Sequence, residues 1–271
     1  MISVVILTYN EAINIERCLR SVSWSDDILV MDSGSTDGTC EIAKQLGARI
    51  IQRPFDDFAG QRNFAIDQGN LRHDWVLHLD ADETVTVELK TEMLGIASDT
   101  HTNLAYRVPS RLMLMGRWLK YSGMYPSYQV RFGMRDHLRF QMVGHGQREL
   151  LQPDELGVIK SDLIHFNFSK GISEWLIKHA QYARDEARVA MVTTGTINWR
   201  DWYLSADPVE RRRALKKWSS SMPMRPFIRF IYIYLIRRGF LDGWVGFQYA
   251  ILIGFYQWII DLNQVELKER I

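Results

Sequence analysis

The feature that most constrains this chain is a rhythm in its first eighty or so residues, where short apolar runs closed by polar clusters alternate with helical segments. Residues 2–7 are almost wholly apolar and run into Thr8-Tyr9-Asn10-Glu11. Residues 27–31 run into Asp32-Ser33-Gly34-Ser35-Thr36-Asp37-Gly38. Residues 49–52 make a third run, and residues 75–79 make a fourth that ends at Asp80-Ala81-Asp82-Glu83. Runs this short, without polar alternation, suit strands buried on both faces. Between them, residues 11–22 carry Ile15, Leu19 and Val22 on one helical face. Residues 39–46 and 59–69 also read as helices, and Gly47 suits the position just past a helix end. Strands alternating with helices at this spacing predict βαβ units and a mostly parallel sheet. Ligands of such sheets bind beyond the carboxyl ends of the strands, so the polar clusters are expected to share one site.

The second half is less periodic. Residues 104–165 hold Gly116, Gly123, Gly133, Gly144, Gly146 and Gly157 between short apolar pieces, and read as irregular strands and loops covering the sheet edge. From Ser173 the pattern is helical again, with Trp175, Leu176, His179, Tyr182, Ala183 and Ala187 recurring at three and four. A basic helix over 208–219 follows, carrying Arg211, Arg212, Arg213, Lys216 and Lys217, and two aromatic-rich runs occupy 227–236 and 243–260. The last run has 18 residues without a charge, the lower edge of membrane-spanning length. Its glutamines and glycines favour an interfacial or buried hairpin instead. Cations beside Trp and Phe on amphipathic helices suit an anionic bilayer surface, so peripheral membrane contact is expected here. Packing on the domain or on a second protomer, as a homo-oligomer, are the other uses of such a surface. The expected organisation is a domain over 1–170, with halves 1–100 and 101–170, and a helical region over 171–271.

Composition narrows the class. The chain has 46% hydrophobic and 24% charged residues, an ordinary globular balance, and a net charge of +1 that gives no pull toward nucleic acid. Cys18 and Cys40 form no paired motif, which suits a reducing compartment. No basic segment precedes the first strand, so no signal peptide is expected and a cytoplasmic location fits.

The clusters carry recognisable chemistry. Asp80 and Asp82 stand one residue apart at a strand end, where both can reach one hard cation. Mg²⁺ or Mn²⁺ takes one or two carboxylates together with substrate phosphates. Alone, such a triplet is also how an acidic turn before a helix looks. Thr8-Tyr9-Asn10-Glu11 opens a helix, where backbone amides favour phosphate, although Asn10 also suits simple capping. Asp32 directly after a strand can hydrogen-bond a base or ribose, with a Ser-Gly-Ser turn that lets the backbone come close.

In this order, VVILTYNEAINIERCLRSV, DDILVMDSGSTDGT and WVLHLDADE resemble the family-2 glycosyltransferases of GT-A fold, and Asn63 in GQRNFA matches a family position. RWLKYSGMYPSYQVRFG, QREL, IKSDLIHFNF, WLIKHAQYARDEA and RRGFLDGWVGFQYA are similar to the bacterial branch containing lipopolysaccharide-core β-glucosyltransferases. The resemblance implies an α/β GT-A fold, a Rossmann-like sheet with flanking helices, followed by a helical, amphipathic appendage. It implies metal-dependent inverting transfer of a sugar from a nucleoside-diphosphate donor, with UDP favoured. The acceptor would be a glycan or lipid-linked molecule at the cytoplasmic face of the inner membrane. By the same resemblance Thr8, Tyr9, Asn10 and Glu11 line the nucleotide pocket, Asp32 meets the base, and Ser33 and Asp37 shape the turn. Arg62 and Asn63 lie beside the donor, Asp80 faces the ribose or metal, and Asp82 holds the metal. Where that branch has Val-His-Glu, this chain reads Gln147-Arg148-Glu149 after Gly144-His145-Gly146. Glu149 is therefore the first choice for the base that deprotonates the acceptor hydroxyl, His145 the second, and an aspartate elsewhere the third. His165 is a third metal ligand or a diphosphate contact, and Arg131 and Lys178 are cations suited to the diphosphate. Trp118 and Tyr125 suit either an acceptor sugar or the core. A nucleotidyltransferase is the alternative enzyme, but residues 8–14 lack the Gly-rich basic loop it needs after the first strand. A non-catalytic carbohydrate- or membrane-binding module is the other.

Overall fold

The computed structural model describes residues 1–99, 103–143, 146–192 and 224–269. His145 and the basic helix expected over 208–219, with Arg211, Arg212, Arg213, Lys216 and Lys217, lie outside these residues. The chain divides into two compact units. One comprises Met1–Trp118 with Tyr125–Lys170, and the other Leu119–Met124 with the chain from Gly171 onward.

In the first unit the apolar runs are strands: β1 (Ile2–Thr8), β2 (Ile28–Asp32), β3 (Arg49–Gln52) and β4 (Trp75–Asp80). They are joined by α1 (Ala12–Ser21), α2 (Thr39–Gln45) and α3 (Phe58–Gln68). They pair in parallel in the order β3-β2-β1-β4. Every residue of β1 is buried, and alternate residues serve opposite layers. Val4 and Ile6 pack with Ile15, Cys18 and Leu19 of α1, whereas Val5 and Leu7 pack with Ala65 of α3. Each such aliphatic side chain contributes roughly 1.5–3 kcal/mol of burial free energy. Because β2 and β3 lie on one side of β1 and β4 on the other, the strand order reverses at β1 and leaves a crevice at the carboxyl ends. The register sets Thr8 beside Asp32 and Leu7 beside Asp80.

The middle of the chain is more regular than its glycines suggest. It does not merely cover the sheet edge; it extends the sheet. Antiparallel to β4 runs β8 (Ser127–Met134), which pairs with β6 (Ala105–Leu114); β12 (Leu163–His165) then links β6 to β5 (Glu83–Val85). The short β7 (Arg117–Trp118) and β11 (Leu156–Val158) also pair with β6. A Cβ on Gly133 would stand 2.7 Å from the Cβ of Ala105, so this glycine marks a close approach of two strands rather than a loop. α4 (Val87–Ser98) shares the core of α1 through Leu89 and Met93, and is capped by Thr86, whose hydroxyl accepts the Leu89 N–H at 3.1 Å. A separate ribbon pairs β9 (Phe140–Val143) with β10 (Gly146–Glu149). The result is a mixed α/β sheet with flanking helices, of GT-A type.

From Gly171 onward the described residues of the second unit are mostly helical. α5 (Ile172–Val192) buries Ala183 and Ala187 against Ile260. α6 (Arg225–Ile231) continues into a wider π turn over Tyr232–Ile236, and α7 spans Gly243–Glu269. The two pack closely because Gly254 has no side chain: a Cβ there would meet the Pro226 carbonyl at 3.2 Å. Asp242 ties in residues 119–124 by accepting the Ser122 hydroxyl at 2.6 Å and its N–H at 2.7 Å. The uncharged run of the sequence is thus part of one continuous helix, long and apolar enough by length and composition to cross a membrane. Trp244, Ile251, Phe255, Trp258, Leu262 and Val265 follow one another along it at steps of three, four and seven, and all are exposed.

Candidate active site

The loops after β1 and β2 are laced together. Asn10 adopts a left-handed conformation (φ 52°), which Asn tolerates better than most residues. This turns its N–H toward the Ser35 hydroxyl at 2.8 Å and lets its Oδ1 accept the Thr36 N–H at 2.8 Å. The Glu11 N–H reaches the Thr39 hydroxyl at 2.8 Å, and the Ala12 N–H reaches Asp37 at 3.0 Å. Asp37 also accepts a short hydrogen bond from the Thr39 hydroxyl. Asp32 is buried, and its Oδ2 receives the Gly34 and Ser35 amides at 3.0 Å each. Burial pushes its carboxyl up, but the bonds from Ser35 and Gly34 outweigh this and hold it below the ordinary value. Its Oδ1 has no hydrogen-bond partner among the described residues. Glu11 shares its carboxylate between Lys170, at 2.6 Å, and Asn14, at 2.6 Å. Burial dominates there and lifts its carboxyl despite both partners.

At the end of β4 a buried ion network shapes the acidic turn. Asp80 Oδ1 accepts from Arg62 at 2.6 Å and Oδ2 from Arg131 at 2.6 Å. Arg131 also donates to Glu83 at 2.8 Å, and Glu83 closes the turn by accepting the Asp80 N–H at 2.9 Å. Arg62, Arg131 and Glu83 are each 2% exposed or less. Burial raises the Asp80 carboxyl, but the two guanidinium groups more than reverse this and hold it far below the carboxylate range. Glu83 goes the other way: burial wins over Arg131 and raises it. Burial with Arg131 alongside lowers Arg62 to about 10. The Nη1 atoms of Arg62 and Arg131 are buried without a hydrogen-bond partner among the described residues.

Asp82 points elsewhere. Its Oδ2 lies 3.3 Å from His165 Nε2, across the β5–β12 pairing that sets Glu83 beside His165. Burial works against the His165 imidazolium, but Asp82, with Glu83 and Asp80 behind it, lifts the group to about 9. No group of three or more His, Cys, Asp or Glu side chains stands ready for a metal among the described residues. The Asp82–His165 pair nevertheless fits a divalent cation: one carboxylate and one imidazole supply two ligands, and donor phosphates and water complete such shells. Metal binding would displace the imidazolium proton.

Glu149 ends β10 and is half-buried, with Phe140 as its cross-strand partner. Asn63 meets the same Phe140, donating to its carbonyl at 2.8 Å and accepting its N–H at 3.0 Å. Arg62 Nε donates to Gln147 at 2.9 Å.

The family model described as "Glycosyl transferase family 2" matches residues 3–148, more than half of the chain. The chain belongs to this family. An uncharacterized glycosyltransferase of Rickettsia typhi is 28% identical over 279 residues, covering 99% of this chain and 89% of that one. The lipopolysaccharide core biosynthesis glycosyltransferase LpsC of Rhizobium meliloti is 26% identical over 196 residues, 67% of this chain and 68% of that one. An uncharacterized glycosyltransferase of Rickettsia bellii is 40% identical over 119 residues, so the match takes in only 43% of this chain and 39% of that protein. Among solved structures, glucosyl-3-phosphoglycerate synthase of Mycobacterium tuberculosis, described in complex with Mn²⁺, UDP and its product, aligns with a TM-score of 0.48 at 19% identity, over 70% of this chain and 79% of that one.

The residues expected from the sequence to form the site fall into three groups in the structure. Thr8, Tyr9, Asn10, Glu11, Asp32, Ser33 and Asp37 sit on the two laced loops, and Asp80, Asp82, Arg62, Arg131 and His165 surround the acidic turn. Asn63 and Glu149 belong to α3 and the ribbon it touches. Lys178 belongs to α5 in the second unit, exposed over the Tyr182 ring at 5.7 Å. Sequence reasoning missed Gln147, Lys170 and the turn-closing role of Glu83. Glu83 was visible as the residue after the acidic triplet, but its partner Arg131 is 48 positions away.

Proposed function

We propose that this family-2 glycosyltransferase performs an inverting transfer of a sugar from a nucleoside-diphosphate donor, with UDP favoured, to a hydroxyl of a glycan or lipid-linked acceptor. The carrying observation is that the loops after β1, β2 and β4 meet at one sheet end, with Asp82 and His165 paired there. Asp32 would accept a base N–H, and the laced amides of Asn10 to Ala12 and the Ser33–Ser35 turn would frame the nucleotide. Asp82 and His165 would hold Mg²⁺ or Mn²⁺, with Asp80 kept on Arg62 and Arg131 as the anchor of their loop. A bound cation supplies charge that offsets the leaving diphosphate. Glu149 would act as base: as the acceptor oxygen attacks the anomeric carbon, the bond to the diphosphate breaks and the hydroxyl proton passes to the Glu149 carboxylate. The similarity to a lipopolysaccharide-core enzyme supports a bacterial surface glycan as acceptor.

The test is nucleoside-diphosphate release from a panel of UDP-, GDP- and dTDP-sugars with Mn²⁺ or Mg²⁺. At least one donor is expected to bind and hydrolyse, and Asp82→Ala is expected to abolish metal-dependent release while melting at the parent temperature. Release unchanged in Asp82→Ala would remove the metal assignment, and no binding to any donor would remove the reading itself.

Membrane contact belongs to the same reading. Leu235, Ile236, Phe240, Leu241 and Trp244 are exposed where α6 turns back to α7, with Arg237 and Arg238 among them. Apolar side chains with cations at a helical tip suit an anionic bilayer on the cytoplasmic side. Flotation with phosphatidylglycerol vesicles, lost in Ile236→Glu/Trp244→Glu, is the expected result. Flotation of that variant equal to the parent would exclude the tip, and concentration-dependent dimers without flotation would assign the surface to a second copy.

A further inference from the structure

The β9–β10 ribbon that carries Glu149 is outside the main sheet, and a lone two-stranded ribbon is at best marginally stable in water. Something else must fix where Glu149 stands. One face of α3 does this at steps of three and four: Ala59, Arg62, Asn63 and Asp67. Ala59 packs in the small core with Leu138 and Phe140. Arg62 donates to Gln147, Asn63 makes its paired bonds to Phe140, and Asp67 accepts from Arg139 at 3.0 Å. Asn63 therefore satisfies both backbone groups of Phe140 as a neighbouring strand would. Phe140 is only 4% exposed, and its ring meets the edge of His78 on β4 with centroids 5.5 Å apart. Glu149 is the cross-strand partner of this pinned residue. Gln147 and Glu149, two apart on one strand, share a face, and Gln147 is held by the same Arg62 that holds Asp80.

We infer that Arg62 and Asn63 are positioning residues that lock the Glu149 ribbon to the acidic turn, so that the base and the donor-binding turn keep one spacing. The inference rests on the reading of Glu149 as base. It gives the family-matching Asn63 a task on the protein's own backbone rather than on the nucleotide.

The experiment uses the full chain, Asn63→Ala, Glu149→Gln and the double variant, with hydrogen exchange, UDP binding in Mn²⁺, and hydrolysis of UDP-glucose or, if it is not turned over, the best donor of the panel. Asn63→Ala is expected to speed amide exchange in peptides covering 138–143 and 146–150 by about tenfold or more, with β1 and β4 unchanged. Its kcat should fall about 10–100-fold, as for a base displaced by an ångström or so, while the Kd for UDP stays within about threefold. The double variant should be little worse than Glu149→Gln alone. Unchanged ribbon exchange, losses that multiply in the double variant, or a UDP Kd that weakens as much as kcat falls would each overturn the inference while leaving Glu149 as base. A Glu149→Gln protein as active as the parent would overturn both, whatever the exchange result.

Discussion

Replacing Arg131 with Met tests the buried ion network where one guanidinium serves two carboxylates. The guanidinium donates to Asp80 at 2.6 Å and to Glu83 at 2.8 Å, and the Arg131 and Glu83 side chains are both 3% exposed. Methionine keeps most of the volume and removes the charge. Asp80 is 31% exposed and retains Arg62, so its share of the loss is small. Among the described residues, the hydrogen bond left to Glu83 is the one from the Asp80 N–H. Breaking a buried pair by removing one partner costs about 3–5 kcal/mol, and the partial rescue of Asp80 sets the expectation at the lower end, about 3 kcal/mol. For a chain of this size that corresponds to roughly 6–12 °C in melting temperature. The loss should depend on pH. Burial already raises the Glu83 carboxyl, and without Arg131 it rises further. A carboxyl raised in the folded state favours the protonated form, so its penalty is absent below the unfolded value of about 4.3 and grows as pH rises through the folded value. Urea unfolding followed by circular dichroism should therefore give a larger deficit at pH 8 than at pH 5. Adding Glu83→Gln, which still accepts the Asp80 N–H, should recover more than half of it. A deficit below about 1 kcal/mol, or one equal at both pH values, would refute the view that Arg131 is there to neutralise a buried carboxylate.

Other substitutions probe separate links. Asn10→Ala removes the acceptor of the Thr36 N–H and places alanine at φ 52°, so a loss of about 1–2 kcal/mol is expected in thermal melts; an unchanged melting temperature would show that the lacing is incidental. Asp27 accepts from Ser3 at 2.6 Å, Arg72 N–H at 2.8 Å and Arg49 at 2.7 Å; burial opposes its ionisation, but these bonds prevail and lower its carboxyl. Its contribution is present above the unfolded value near 3.9 and lost as pH falls through the folded one, so Asp27→Asn should cost about 2 kcal/mol at pH 7 and flatten the acid limb of stability; an acid limb as steep as the parent's counts against it. Gly254→Leu should cost about 1–3 kcal/mol by forcing α6 from α7, read as earlier loss of helical signal on heating, whereas a neutral result would mean that the two helices separate freely.

Much of the first unit was legible because its information is local. A strand covered on both faces must be apolar throughout, and the residue that leaves its carboxyl end must turn. Residues 2–7, 49–52 and 75–79 thus announced β1, β3 and β4 within a residue or two, and the polar clusters announced the loops. The expectation of irregular strands and loops covering the sheet edge over 104–165 found strands there but missed that they extend the main sheet, because glycine has two uses. At Gly133 it admits a neighbouring strand, and no local pattern separates that from a turn. The uncharged run of 243–260 told its apolarity but not that charged residues beyond it continue the same helix.

The sequence by itself determined the parallel βαβ half, the order of its polar loops and the acidic triplet, since each follows from side-chain pattern over ten or so neighbouring residues. Only the tertiary structure decided how the triplet is divided. Asp80 turns to two arginines from α3 and β8, Asp82 turns to a histidine on β12, and Glu83 closes the turn between them. Those partners lie 18 to 83 positions away, and charge pairing across such distances depends on which strands become neighbours. The same holds for Asn63, whose place beside the ribbon is set by the packing of α3 and by nothing in its own segment.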